Sequence, residues 1–257
     1  MPGLVKLSYD GRLAFVELSH PGKLNAMSRA MWRELSVIFT AIQAGDGVSC
    51  VVVRGEAGAF CAGGDISEYP DFRFEEASLA AFHEEDVWGG LKAMLKCDVP
   101  IVAQIEGTCM GAGLEIASCC DIRIAGEGAR FGAPIARLGF PMAPREAQLV
   151  MEAVGEVAVR EMLLEAAVLG AAEMKQRGFL TRVVPDAGVQ AMAYAAAQRI
   201  ATLAPIAARM NKKTIRAIKA YPASAAAKLA ATAYRYADSA EHREGINAFI
   251  EKRKPAF

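Results

Sequence analysis

Apolar residues alternate with other positions through Leu13-Ala14-Phe15-Val16-Glu17-Leu18, and Cys50-Val51-Val52-Val53 is a continuous apolar, β-branched run. Both patterns predict strands, and a helical periodicity over about residues 28–43 separates them. The alternation of strand and helix continues with a helix over about 75–95, a strand over 100–105, a short helix over 111–119 and a strand over 121–125. Repeated strand–helix units predict an α/β fold, with a largely parallel sheet covered by helices. From about Pro144 the pattern becomes alanine-rich and helical, with one further strand expected over 180–184, just after Gly178, a candidate helix C-cap. Pro205 and Pro222 punctuate the last helices. The chain therefore divides into an α/β core over 1–190 and a helical region over 191–257.

Composition narrows the function classes. The 257 residues, 53% of them hydrophobic and 23% charged, suffice for a full-sized core. Twenty-nine basic and 29 acidic residues cancel, so net charge draws the chain neither to nucleic acid nor to an anionic membrane, and an anionic ligand must be held locally. The opening Met1-Pro2-Gly3-Leu4-Val5-Lys6 lacks a secretory layout, and no apolar run reaches spanning length, so a cytoplasmic location is expected. Cys50, Cys61, Cys97, Cys109, Cys119 and Cys120 show no CxxC spacing and only three histidines accompany them; reduced, mostly buried thiols and no metal site are expected.

Two glycine-containing turns follow strands, where ligands of open α/β sheets usually sit. The first is Gly58 to Ile66 and the second Gly107 to Glu115. Gly111-Ala112-Gly113 opens a helix, whose first amides have no intrahelical acceptor and whose dipole favours negative charge. The Ala112 N–H is thus a candidate oxyanion donor, paired with an amide of the first turn. Glu115, one turn into that helix, is a candidate acid or base, or an acidic residue that merely suits the dipole. No GK[ST] follows a glycine pair, the spacing is GxxxGxG, not GxGxxG, and no GxSxG occurs. Nucleotide hydrolysis, dinucleotide binding and serine hydrolysis lose support. His20, His83 and His242 lie in unrelated polar contexts and read as surface residues.

At these residues the sequence resembles the crotonase superfamily, also called the enoyl-CoA hydratase/isomerase family, over essentially the whole chain. The landmarks are His20-Pro21 with Leu24-Asn25-Ala26-Met27, Phe60-Cys61-Ala62-Gly63-Gly64-Asp65-Ile66, and Gly107 through Glu115 continuing to Ala125. The resemblance implies a crotonase-like spiral of ββα units, with C-terminal helices that mediate a homotrimer or a hexamer built as a dimer of trimers. It implies an acyl-CoA thioester as substrate, with coenzyme A as part of that substrate and no covalently bound cofactor. Carried over by position, Gly64 and Ala112 supply the oxyanion-hole amides. Asn25, Ala26, Ala62, Asp65 and Ile66 fall where relatives hold coenzyme A, and Glu115 aligns with the first catalytic glutamate of hydratases.

One departure matters. Hydratases place a second glutamate after Phe-Gly-x-Pro, whereas Phe131-Gly132-Ala133-Pro134 is followed here by Ile135. Glu146, after Pro144-Arg145, is the candidate replacement acid, although it also reads as an ordinary first-turn residue after a proline at the helix start. The segment from Ser67 to Trp88, with Phe72, Phe74, Phe82 and His83-Glu84-Glu85-Asp86, is where relatives shape the acyl pocket. The expected function is an enoyl-CoA isomerase or an atypical hydratase. Thioester hydrolysis, decarboxylation and non-catalytic acyl-CoA binding stay open as alternatives.

Overall fold

The computed structural model describes residues 2–220 together with 240, 244, 248, 251–253, 255 and 256. In chain order the core comprises β1 (Leu4–Asp10), β2 (Leu13–Ser19), α1 (Arg29–Ala44), β3 (Cys50–Gly55), α2 (Glu76–Ala81), α3 (Trp88–Lys96) and β4 (Ile101–Ile105). It continues through β5 (Thr108–Met110), α4 (Ala112–Ser118), β6 (Ile122–Gly126), β7 (Arg130–Gly132), α5 (Pro144–Val154) and α6 (Glu156–Leu164). The remainder is β8 (Val168–Gly170), α7 (Ala171–Gln176), β9 (Arg182–Val184), α8 (Val189–Ala201) and α9 (Pro205–Ala220).

The main sheet has the order β1-β2-β3-β4-β6-β9, antiparallel only at β1 against β2. Alternate residues of β3 explain the continuous apolar run: Val51 and Val53 join the core beneath α1 and α3, while Cys50 and Val52 pack on the other face against Ala193, Ala196 and Ala197 of α8. A strand covered on both faces has no polar face to display.

Local signals hold where they are strong. Ser28 caps α1 by accepting from the Met31 amide, and Gly178, at φ +84°, follows α7. Three expectations change. The helix expected over 75–95 comes as α2, a π-helical turn at Phe82–Val87, then α3. The second glycine turn is not all turn, since Thr108–Met110 forms β5 and pairs with β7 in a second sheet, β5-β7-β8. The strand expected over 180–184 shortens to β9 and is not the sole strand after Pro144, because Val168–Gly170 pairs antiparallel with β7. These strands owe their existence to partners and are too short for a period to register.

All six cysteines are free and buried. Among the described residues no helix is long and apolar enough to cross a membrane. The helical region expected over 191–257 is described through α8 and α9; the boundary at Pro222 and His242 lie outside the described residues.

Candidate active site

The first glycine turn is strapped to β5. The Phe60 amide donates to Glu106 O and that of Cys61 to Thr108 O, and Met110 N–H returns a bond to Cys61 O at 2.9 Å. This ladder brings the two turns into contact, and two glycines in α4 and its cap make the approach possible. Gly111 caps α4 at φ +46°, a region that L side chains rarely adopt, and a Cβ on Gly113 would stand 2.5 Å from Cys61 O. Glu115 N–H closes the first helical turn on Gly111 O, which leaves the Ala112 amide ahead of the ladder. Among the described residues neither the Gly64 nor the Ala112 amide donates to a protein acceptor. Both residues line one cleft of about 840 Å³, measured with its open mouth.

Glu115 and Glu146 face the same cleft, from α4 and α5, which pack together. Glu146 is indeed a first-turn residue behind Pro144, but it is buried, whereas the neighbouring Arg145 turns outward to an exposed ion pair with Glu84 at 2.9 Å. Burial, and after it the charge of Glu146, pushes the Glu115 carboxyl up to about 8. At neutral pH the cleft thus holds Glu115 as a neutral acid. Ile135 lies on the wall of the same cleft.

The histidine expectation needs correcting. His20 is buried, with Nδ1 2.7 Å from Ala26 O, and His83 lines the cleft with Nδ1 3.1 Å from Glu146 Oε1. His83 Nε2 faces Arg73 Nη2 at 3.4 Å. A guanidinium can only donate, so Nε2 accepts, Nδ1 carries the proton, and the ring donates to Glu146. The π-helical turn accomplishes this placement: its i→i+5 spacing sets Phe82 and Val87 one turn apart on the cleft, beside His83. Asp86 points the other way, into ion pairs with Arg29 at 2.7 Å and Arg33 at 2.6 Å.

Of the aromatics singled out in the sequence, Phe82 lines the cleft, Phe72 is buried in the core and Phe74 is exposed. Tyr69 and Arg73 line it unannounced. The Tyr69 hydroxyl rests against Gly64, where a side-chain carbon would collide with it. No periodicity marks these two residues, which follow a short 3-10 helix over Ile66–Asp71 or lie within it.

The five candidate coenzyme A positions divide. Ala62 and Ile66 line the cleft. Asn25, at φ +59°, spends its side chain internally: Oδ1 accepts from His20 N, while Nδ2 donates to Glu56 O at 2.8 Å and Ala59 O at 2.7 Å. Ala26 donates its amide to Lys23 O and gives its carbonyl to His20. Asp65 accepts from Lys23 Nζ, Ser67 N and Ser67 Oγ; burial raises its pKa, but these donors outweigh it and hold the carboxyl below its ordinary value. Asn25 and Asp65 thereby tie the loop before α1 to the turn that carries Ala62 and Gly64. Among the described residues no group of three or more His, Cys, Asp and Glu side chains could hold a metal ion.

The chain is similar to known proteins over nearly its whole length. A family model described as enoyl-CoA hydratase/isomerase matches residues 9–257. A probable enoyl-CoA hydratase of Mycobacterium tuberculosis is 32% identical over 254 residues, covering 96% of this chain and 95% of the relative. The 2,3-dehydroadipyl-CoA hydratase of Escherichia coli is 29% identical over 255 residues, covering 98% and 97%. Among solved structures, an enoyl-CoA hydratase/carnithine racemase from Magnetospirillum magneticum superposes with a TM-score of 0.94 at 34% identity, covering 99% of this chain and 95% of that one.

Proposed function

Because the chain belongs to the enoyl-CoA hydratase/isomerase family, we propose that it moves a proton along an enoyl-CoA thioester by acid–base catalysis, with isomerisation of the double bond as its reaction. The thioester oxygen is received by the amides of Gly64 and Ala112, which have no acceptor among the described residues and belong to residues that line the cleft together. Donors of this kind are worth about 3–4 kcal/mol each once the oxygen becomes negative.

The single observation that carries the reading is the pair of carboxyl groups in one cleft: Glu115 held neutral, and Glu146 accepting a hydrogen bond from His83. Two carboxyls in unlike environments suit opposite tasks. Glu146 takes the proton from C2 of a 3-enoyl thioester, and the C–H pair moves into the dienolate whose oxygen the two amides receive. Glu115 then gives its proton to C4, and the electron pair returns to leave the 2-enoyl product. Proton exchange with solvent restores both groups.

Hydration is the second reading, favoured by the relatives described as enoyl-CoA hydratases. The same two carboxyls would then activate water and protonate C2. Ile135 tells against it, since it gives the wall an apolar group where hydratases carry their second glutamate. The two reactions separate by mass: with 3-hexenoyl-CoA isomerisation yields the conjugated isomer at unchanged mass, whereas hydration of 2-hexenoyl-CoA adds one water. Absence of the isomer with 3-enoyl thioesters across a range of chain lengths would overturn the primary reading.

Coenzyme A is read as running past Ala62 and Ile66. A homotrimer or a dimer of trimers belongs to the same proposal; exposed Val157, Leu164 and Ile215 offer apolar surface for such contacts, and light scattering tests it.

A further inference from the structure

Arg73 is a cation on the cleft wall that no carboxylate among the described residues answers. Its guanidinium sits in the corner between two aromatic rings set edge to face, with Cζ 3.8 Å from the centre of Phe140 and 4.3 Å from that of Tyr69. Among the described residues only its Nη2 has a polar partner, the His83 ring, while Nε is shut away from solvent with no acceptor. Glu146 is committed to His83, and neither cleft carboxyl forms an ion pair with Arg73. Other arginines near the site are matched: Arg29 and Arg33 with Asp86, and Arg145 with Glu84.

Two ring faces recover only part of what a guanidinium loses on leaving water. The rest of the wall, including Ile135, Leu138 and Met142, is apolar and would suit a hydrocarbon acyl chain without any cation. A hydrocarbon tail against Arg73 would desolvate it further and return nothing. A carboxylate would cancel the charge and give Nε and Nη1 the acceptors they lack, in the planar geometry a guanidinium favours.

We propose that Arg73 receives a carboxylate carried by the acyl chain, so that the preferred substrates are short enoyl-CoA thioesters with a second, distal carboxylate. The inference rests on the acyl-CoA reading above and adds the substrate class. The reach follows from Tyr69, whose hydroxyl rests on Gly64 while its ring lies under Arg73. The cation therefore lies over the face of the ring whose hydroxyl touches Gly64, near enough to that turn for the distal end of a short dicarboxylic acyl group.

The test compares adipyl-CoA with hexanoyl-CoA, saturated esters of matched length that differ in the distal group, by calorimetric binding to the whole protein. Adipyl-CoA should bind at least about tenfold more tightly, and Arg73→Gln should abolish most of that preference. Arg73→Lys, which keeps the charge but not the planar fork, should retain part of it; thermal melts confirm that both variants fold. Equal binding of the two esters, or an Arg73→Gln variant that weakens both alike, overturns the proposal. Adipyl-CoA preference without turnover of the corresponding enoyl esters would sink the acid–base reading and leave the Arg73 assignment standing. Failure of both esters to bind would sink the two together.

Discussion

His83 Nδ1 stands 3.1 Å from Glu146 Oε1, although 63 positions separate the two residues in the chain. The contact gives Glu146 a fixed donor within the cleft, so His83 acts on the proposed chemistry as a positioning residue. Its proton sits on the nitrogen facing Glu146 because Arg73 occupies the other one.

Replacing Glu146 by Gln should lower kcat by about 10²–10⁴-fold, the range for loss of a general base, with a smaller change in KM. His83→Gln retains an amide that can donate to Glu146, whereas His83→Leu does not. Steady-state kinetics should therefore rank wild type, His83→Gln and His83→Leu in falling order of kcat; equal loss in both histidine variants would count against the positioning role.

Glu115 should write its titration into the pH dependence. An acid that must be protonated to act, with its pKa raised to about 8, gives a rate that falls as pH rises through that value. Glu115→Gln should be slow at every pH and should lack this alkaline limb.

The same shift has a signature in stability. Between the ordinary value of 4.5 and about 8 the folded protein keeps a proton that the unfolded chain has released. The contribution is therefore fully present below the lower value and is lost as pH rises through the upper one. Urea unfolding from pH 5 to 9 should show wild type losing stability relative to Glu115→Gln; parallel curves would mean that Glu115 titrates normally.

Ala112→Pro removes one amide hydrogen at the first residue of α4, a helical position that accepts proline without losing a ladder bond. Turnover should fall by about 10²–10³-fold if that amide receives the thioester oxygen. Circular dichroism should match wild type, and unchanged kcat would remove Ala112 from the proposed hole.

Asn25→Ala deletes three hydrogen bonds, two that hold the loop before α1 to Glu56 and Ala59 and one within the loop from the His20 amide, and leaves two carbonyls short of a donor and one amide short of an acceptor. A loss of about 2–4 kcal/mol follows, read as a lower urea midpoint. Its conformation at φ +59° makes Asn25→Gly the milder change of backbone, so that variant separates lost bonds from added strain.

Much of the scaffold was legible because its causes are local. The alternation at 13–18 became β2, the apolar run at 50–53 became β3, and the Ser28 cap began α1 where periodicity put it. The glycine turns were legible for the same reason, since a positive φ at Gly111 and a close approach at Gly113 admit few other residues. β1 and the three-residue strands β5, β7 and β8 were not read, and for the short strands the ladder to a distant partner supplies what periodicity cannot.

The sequence by itself determined the alternating α/β framework, the two turns that offer free amides, and the family to which they belong. Only the tertiary structure decided which charges meet. The resemblance offered Glu146 as a replacement acid and the segment around His83 as pocket wall, but neither motif nor period shows that the His83 ring meets the Glu146 carboxyl. A carboxyl's proton affinity is a sum over neighbours and solvent exclusion, so the raised value of Glu115 exists only once the chain has folded around it.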